Sequence, residues 1–251
     1  FDTLDAGSFV SPRAMPQMAD AHELFGALEE AKTKSSTKLL AIVANEGGAR
    51  RAAQYDFIDA WGYPFSVSDL FQQRNSRKDI PSAIEDLKRV KDRASANNVE
   101  LVVYLSMAFG NPYGEDYDVD MVLERLYQAV QCGADIVSLS DTTGQGTIEK
   151  VGTLSALMNT ESTVPWGAHM HSIYAEAAAK AQEAIKHGCR RIDTAMRGFG
   201  GCPFASDALI GNMPTEKVLS VVTAGGFECS VDPLQLESSY NIALELFGRY
   251  L

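Results

Sequence analysis

Two of the four histidines in this 251-residue chain stand two positions apart, in Val164-Pro-Trp-Gly-Ala-His169-Met-His171. Residues i and i+2 of a β-strand point to the same side, so both imidazoles would face one point in space, as a chelate requires. Taken alone, the pair is also compatible with one packed and one surface imidazole. Three further groups have chemistry to offer near it in an alternating β/α pattern. Asp141 directly follows Ser138-Leu-Ser140, where a carboxylate can bind a metal, orient a histidine or simply cap a helix. Cys202 lies in Gly200-Gly-Cys202-Pro, as a thiol on a glycine-hinged loop or as a buried structural cysteine. Asn212, in Ile210-Gly-Asn-Met-Pro-Thr-Glu216, offers a neutral oxygen. Two imidazoles with oxygen donors suit a divalent ion such as Mg²⁺, Mn²⁺ or Co²⁺ that polarises substrate oxygens, with a hydroxyl as the natural proton donor.

The elements that must position these groups alternate strand and helix. Apolar runs at Lys38 to Ala44, Glu100 to Ser106 and Ala134 to Ser140 read as strands buried on both faces. Strands are also expected at Thr3 to Val10, Asp56 to Trp61, the histidine segment and Arg190 to Ala195. Helical spacing covers Met15 to Glu30, Pro81 to Ala96, Val119 to Cys132, Ile148 to Met158 and the Ala-rich stretch after Tyr174, and two more helices begin near Thr215 and Pro233. A βα period of about 25 to 35 residues points to a parallel sheet with helical crossovers. There is no GxGxxG after the first strand and no GxxxxGK[ST], which disfavours a nucleotide-type open sheet. The expectation is a (β/α)8 TIM barrel over residues 1–251 as one catalytic domain, with extra C-terminal helices. Only seven strands are counted, so the first β-strand is expected to be absent from this sequence, and the histidines fall at the C-terminal rim that carries chemistry in barrels. The segment Gly62 to Asp79, with Tyr63, Phe65, Phe71, Arg74, Arg77 and Lys78, is a candidate grip for an anionic ligand or a solvated face.

Composition narrows the function. A formal net charge of −11 argues against a nucleic-acid surface. Four cysteines without a CxxC pair read as a reduced set. Neither a membrane span nor a signal sequence is evident, which makes the cytoplasm the expected location, or the mitochondrion if a presequence has been removed.

Five segments, SFVSPRAMPQMAD (Ser8 to Asp20), SLSDTTGQGT (Ser138 to Thr147), HMH (169 to 171), GFGGCPFA (Gly198 to Ala205) and GN-x-x-TE (Gly211 to Glu216), together resemble the 3-hydroxy-3-methylglutaryl-CoA lyase family. Their order and spacing cover nearly the whole chain. The Cys-Pro loop is the most discriminating, since the related condensing synthases share His-x-His but lack it. The resemblance implies a divalent-metal barrel, using Mg²⁺ or Mn²⁺, that cleaves an acyl-CoA substrate to acetyl-CoA and acetoacetate by retro-Claisen chemistry, with a homodimer as an associated possibility. It implies His169, His171 and Asn212 as metal ligands, Cys202 as the loop cysteine, Glu216 as a nearby acidic residue, Asp5 as the acidic residue at the end of the family's second strand, and Asp141 as a polar residue of the site floor. The sequence departs from the pattern in three places: Ser172 where the family has Asp, Asp5 where it has Glu, and Asn111 where a second cysteine often occurs. The family's Arg-Asp pair on strand one has no counterpart, since the chain begins after that point. A condensing synthase acting on a 2-oxo acid and a decayed, non-catalytic barrel are the alternatives.

Overall fold

The computed structural model describes residues 1–201 and 210–249. Among the described residues seven strands form one sheet, in the order β1 (Thr3–Ser8), β2 (Lys38–Ile42), β3 (Ala60–Ser66), β4 (Glu100–Ser106), β5 (Ile136–Asp141), β6 (Trp166–Met170) and β7 (Ile192–Asp193). Every pair is parallel and every neighbour in space is a neighbour in sequence. This is the winding of a TIM barrel, with β1 and β7 as the two edges of a curled sheet. The crossovers between strands carry α1 (Ala21–Thr33), α2 (Glu46–Ala52), α3 (Asp69–Ser76), α4 (Ile80–Ala96), α5 (Val119–Gln131), α6 (Ile148–Glu161) and α7 (Ala177–Lys186). The expected C-terminal helices follow as α8 (Thr215–Ala224) and α9 (Pro233–Phe247). Several helices start where a side-chain oxygen accepts the third amide of the first turn, as Ser68, Asp79, Asp118 and Thr147 do.

Alternation along the strands sorts the core into two layers. Trp61, Tyr63 and Phe65 on β3, with Leu101, Val103 and Leu105 on β4 and Val137 and Leu139 on β5, lie in the large cluster between sheet and helices. Leu40, Ala60, Val102 and Tyr104 form a second cluster on the concave face, joined by Ile42 and Ile136. Most strands fall where apolar runs place them, but β3 begins at Ala60, not at Asp56. It runs through Gly62 and Pro64, residues that read as breakers. Gly62 belongs there because a Cβ would come within 2.5 Å of Ile42 Cδ1 and 2.8 Å of Tyr104 Cε2.

This shift also revises the anion-grip expectation for residues 62–79. Tyr63, Phe65 and Phe71 are fully buried core. Lys78 pairs with Asp86 at 2.6 Å and the Arg74 guanidinium lies 4.6 Å over the Tyr113 ring, so both cations already have partners.

Candidate active site

The register of the sheet sets side chains in layers on its concave face. One layer holds Ser140 beside His169 beside Asp193. Beneath it Tyr104 stands beside Ser138, and Ser138 beside Gly167. Gly167 makes room for Arg191, whose Cβ would lie 2.9 Å from a Cβ placed on the glycine. An apolar floor of Leu40, Ala60 and Val102 lies below. The rim therefore changes from hydrocarbon to ionisable groups within two layers, and His169 sits at the change.

The histidine pair is brought together as its spacing requires. The two ring centroids are 5.4 Å apart with planes at 63°, and the His169 ring stands 5.8 Å from that of Tyr104, edge to face. Past β6 the chain leaves the sheet and His171 forms an antiparallel bridge with Asn212. Ser172 N donates to Gly211 O at 3.0 Å and Met213 N to Met170 O at 3.2 Å, which fixes Asn212 against the histidines. The Ser172 hydroxyl bonds the carbonyl of Ile173, 2.9 Å away.

Glycine lets the other side of Asn212 close. Gly198 holds φ at +71°, a left-handed conformation, and a Cβ there would sit 2.5 Å from Asn212 O. Asn212 N in turn donates to Gly198 O at 3.0 Å, and its Nδ2 donates to Phe199 O at 2.9 Å. With the amide nitrogen engaged, the side-chain oxygen is left, among the described residues, as a free acceptor on the segment bridged to His171.

Electrostatics separate the two imidazoles. Burial, and then the charge on His169, push His171 down to about 4, so it is neutral near pH 7. Its Nδ1 lies 3.0 Å from the Thr142 carbonyl, which can only accept, so the proton sits on Nδ1 and the lone pair on Nε2. At His169 burial acts downward, but the neighbouring Asp193 carboxylate, helped by Asp5 and Asp141, wins and raises it. Asp193 is the reverse: burial acts upward, but His169 and Arg191 hold it below the usual carboxylate range. Asp5 faces this group from β1. Burial and then repulsion from Asp193 raise it to about 7, although the residue keeps access to water. Tyr104 stays a neutral phenol, raised well above its ordinary value by burial and by Asp193 and Asp5.

Two of the expected acids serve the loops. Asp141 accepts Gln145 N at 2.7 Å and Gly146 N at 3.0 Å, and so ties down the turn after β5. The N-cap of α6 is Thr147. Burial raises Asp141 to about 6, against the pull of those amides. Glu216, in the first turn of α8, accepts Arg197 N at 3.1 Å and braces the turn that leads to Gly198. Asn111 accepts Tyr113 N and Glu115 N and organises its own loop. Cys202 lies outside the described residues.

Tyr104, Arg191 and Asp193 were not singled out in the sequence, although Arg191 and Asp193 share the i, i+2 spacing that marked the histidines. Ser138 and Ser140 repeat that spacing on β5, and neither hydroxyl has a protein partner among the described residues.

Among the described residues no group of three or more His, Cys, Asp or Glu side chains could hold a metal ion. The donor set the geometry offers is two imidazole nitrogens and the Asn212 amide oxygen. It fits a divalent cation: His171 is neutral with Nε2 free, His169 has Nδ1 turned to a carboxylate, and the Asn212 amide is anchored through its nitrogen.

A curled, all-parallel α/β sheet wound in sequence order, with paired histidines at its C-terminal rim, defines a protein of the TIM-barrel-like α/β class. The chain belongs to the HMGL-like family, which it matches over residues 15–242, and it is a carbon–carbon lyase. It is 30% identical to the 3-hydroxy-3-isohexenylglutaryl-CoA/hydroxy-methylglutaryl-CoA lyase of Pseudomonas aeruginosa over 92% of this chain and 76% of that protein. The mitochondrial hydroxymethylglutaryl-CoA lyase of Gallus gallus is also 30% identical, over 91% of this chain and 76% of that protein. The crystal structure of hydroxymethylglutaryl-CoA lyase from Pseudomonas aeruginosa superposes with a TM-score of 0.86 at 28% identity, covering 98% of this chain and 81% of that one. Enzymes of this family generally depend on a divalent metal. Among the described residues no helix is long and apolar enough to cross a membrane.

Proposed function

We propose that this chain cleaves 3-hydroxy-3-methylglutaryl-CoA, or a close 3-alkyl analogue, to acetyl-CoA and a 3-oxo acid, acetoacetate for the methyl substrate. The observation that carries the reading is the convergence of His169, His171 and Asn212 at the C-terminal ends of the strands, with Asp5 facing them. His169, His171 and Asn212 would hold Mg²⁺ or Mn²⁺, with Co²⁺ as a substitute, and the ion would supply Lewis acidity that acidifies the tertiary hydroxyl of the substrate. Asp5 takes the hydroxyl proton onto its carboxylate. The oxygen's electron pair then forms the new ketone as the C2–C3 bond breaks, and that bond's pair passes to the thioester enolate. Cys202, placed by resemblance to the family's loop cysteine, gives its proton to the enolate carbon. Asp141 and Glu216 act by holding the loops at the rim.

Residues 1–251 are read as one catalytic unit working in the cytoplasm or, behind a removed presequence, the mitochondrion. A homodimer fits the exposed Leu234, Ile242 and Leu246 on α9. The deciding experiment incubates the purified protein with Mn²⁺ and either the 3-methyl or the 3-isohexenyl substrate, and follows acetyl-CoA release before and after chelation. Metal-dependent release is expected. No release, with condensation of acetyl-CoA onto a 2-oxo acid instead, overturns the reading.

A further inference from the structure

We propose that Asp193 is the positioning residue for His169, itself held in place by Arg191 and Tyr104. The inference rests on the reading of His169 as a metal ligand. An imidazole coordinates through one nitrogen, and which one is set by the partner of the other. For His171 that partner is the Thr142 carbonyl, 3.0 Å from Nδ1. For His169 the corresponding atom is Asp193 Oδ2, 3.4 Å from Nδ1. Oδ2 is buried and has no well-formed hydrogen bond among the described residues, so a proton on Nδ1 is the group placed to satisfy it.

The carboxylate cannot easily turn away. Arg191 Nε lies 3.4 Å from its other oxygen, and Tyr104 packs beside the group from β4. Register sets His169 and Asp193 side by side on adjacent strands, and the Tyr104 and His171 rings flank the imidazole. With Nδ1 tied to the carboxylate, Nε2 is the nitrogen left for a ligand. The two rings thus reach one tautomer by different devices, a neutral carbonyl for one and a carboxylate balanced by a half-buried arginine for the other.

The test uses the full chain, first without metal. Long-range ¹H–¹⁵N spectra at a pH where His169 is neutral should show the Nδ1–H tautomer in the wild type and in Asp193→Asn, whose amide oxygen still accepts, and the Nε2–H tautomer in Asp193→Ala. Titration with Mn²⁺ should then give affinity about 10- to 100-fold weaker for Asp193→Ala, largely recovered in Asp193→Asn. Asp193→Ala that keeps the Nδ1–H tautomer, whatever its affinity, overturns the proposal. A wild type that binds no Mn²⁺ but shows the expected tautomers supports the positioning role while removing the metal reading. If Asp193→Ala does not fold, Asp193→Leu carries the same comparison.

Discussion

The carbonyl oxygen of Thr142 stands 3.0 Å from Nδ1 of His171 and decides which face of that ring does chemistry. Gln places a polar atom near the Nε2 position and Asn places one near Nδ1. His171→Gln should therefore keep more Mn²⁺ affinity than His171→Asn. His171→Ala should lose more than the roughly 10- to 100-fold associated with outer partners alone. Calorimetric titration of the three variants checks the order, and equal affinities for Gln and Asn would put the ligand nitrogen elsewhere.

Asn212 depends on a glycine it does not touch through its side chain. Ala at position 198 would meet the Asn212 carbonyl at 2.5 Å on a backbone held at φ +71°, a strain of about 1–3 kcal/mol. Gly198→Ala should weaken Mn²⁺ binding as well as stability. Gly114→Ala is the control: φ is +75° but nothing lies within 4 Å, so only backbone strain of about 1 kcal/mol applies and metal binding should be unchanged.

Gly62 tests the concave wall in the same way. A methyl there meets Ile42, Leu40 and Tyr104 within 3.2 Å, and overpacking of this kind costs about 1–3 kcal/mol. Gly62→Ala should lower the unfolding free energy obtained from urea titration by that amount. Because Tyr104 leans on His169, Mn²⁺ affinity should fall too.

What the chain disclosed in advance follows from range. His169 and His171 were legible because a two-residue period needs no tertiary information, and β4 was legible because a strand buried on both faces is an unbroken apolar run. β3 was misplaced because Gly62 and Pro64 carry the marks of a turn, and only the crowded concave face explains the glycine. Tyr104, Arg191 and Asp193 are separated by up to 89 positions in sequence and meet only through sheet curvature. No local pattern announces that meeting. Asp141 could be read as ligand, orienter or cap, and its bonds to Gln145 and Gly146 put it in the loop. Cys202 was legible as a candidate from its glycine-flanked loop, but the choice between a reactive and a structural thiol came from family resemblance, as did Asp5 altogether, because a lone carboxylate has no period to read.

If the thiol of Cys202 delivers the proton to the enolate, Cys202→Ala should lower kcat by about 10² or more with little change in KM. Steady-state rates measure this directly, and an unchanged kcat removes the thiol from the proposed steps.

Asp5 offers a pH test, because desolvation by the site and then Asp193 raise its carboxyl to about 7, an effect that water at this exposed position partly screens. The sign for stability is fixed by the direction of the shift. The folded chain holds this proton more tightly than the unfolded chain, whose value is near the ordinary 3.8. The contribution is complete below that value and is lost as pH rises through about 7. Denaturation of the metal-free protein across this window should show stability falling with pH on account of this group, and Asp5→Asn should remove that part of the slope. In catalysis the sign reverses, since the base must be ionised: kcat/KM should rise about tenfold per pH unit and then level. A cation held by the histidines pulls the carboxyl down, so the bend lies at or below 7. Asp193→Asn removes the second cause of the raised value and should move the bend lower still, while Asp5→Asn should abolish it. A bend that persists in Asp5→Asn assigns the proton to another group.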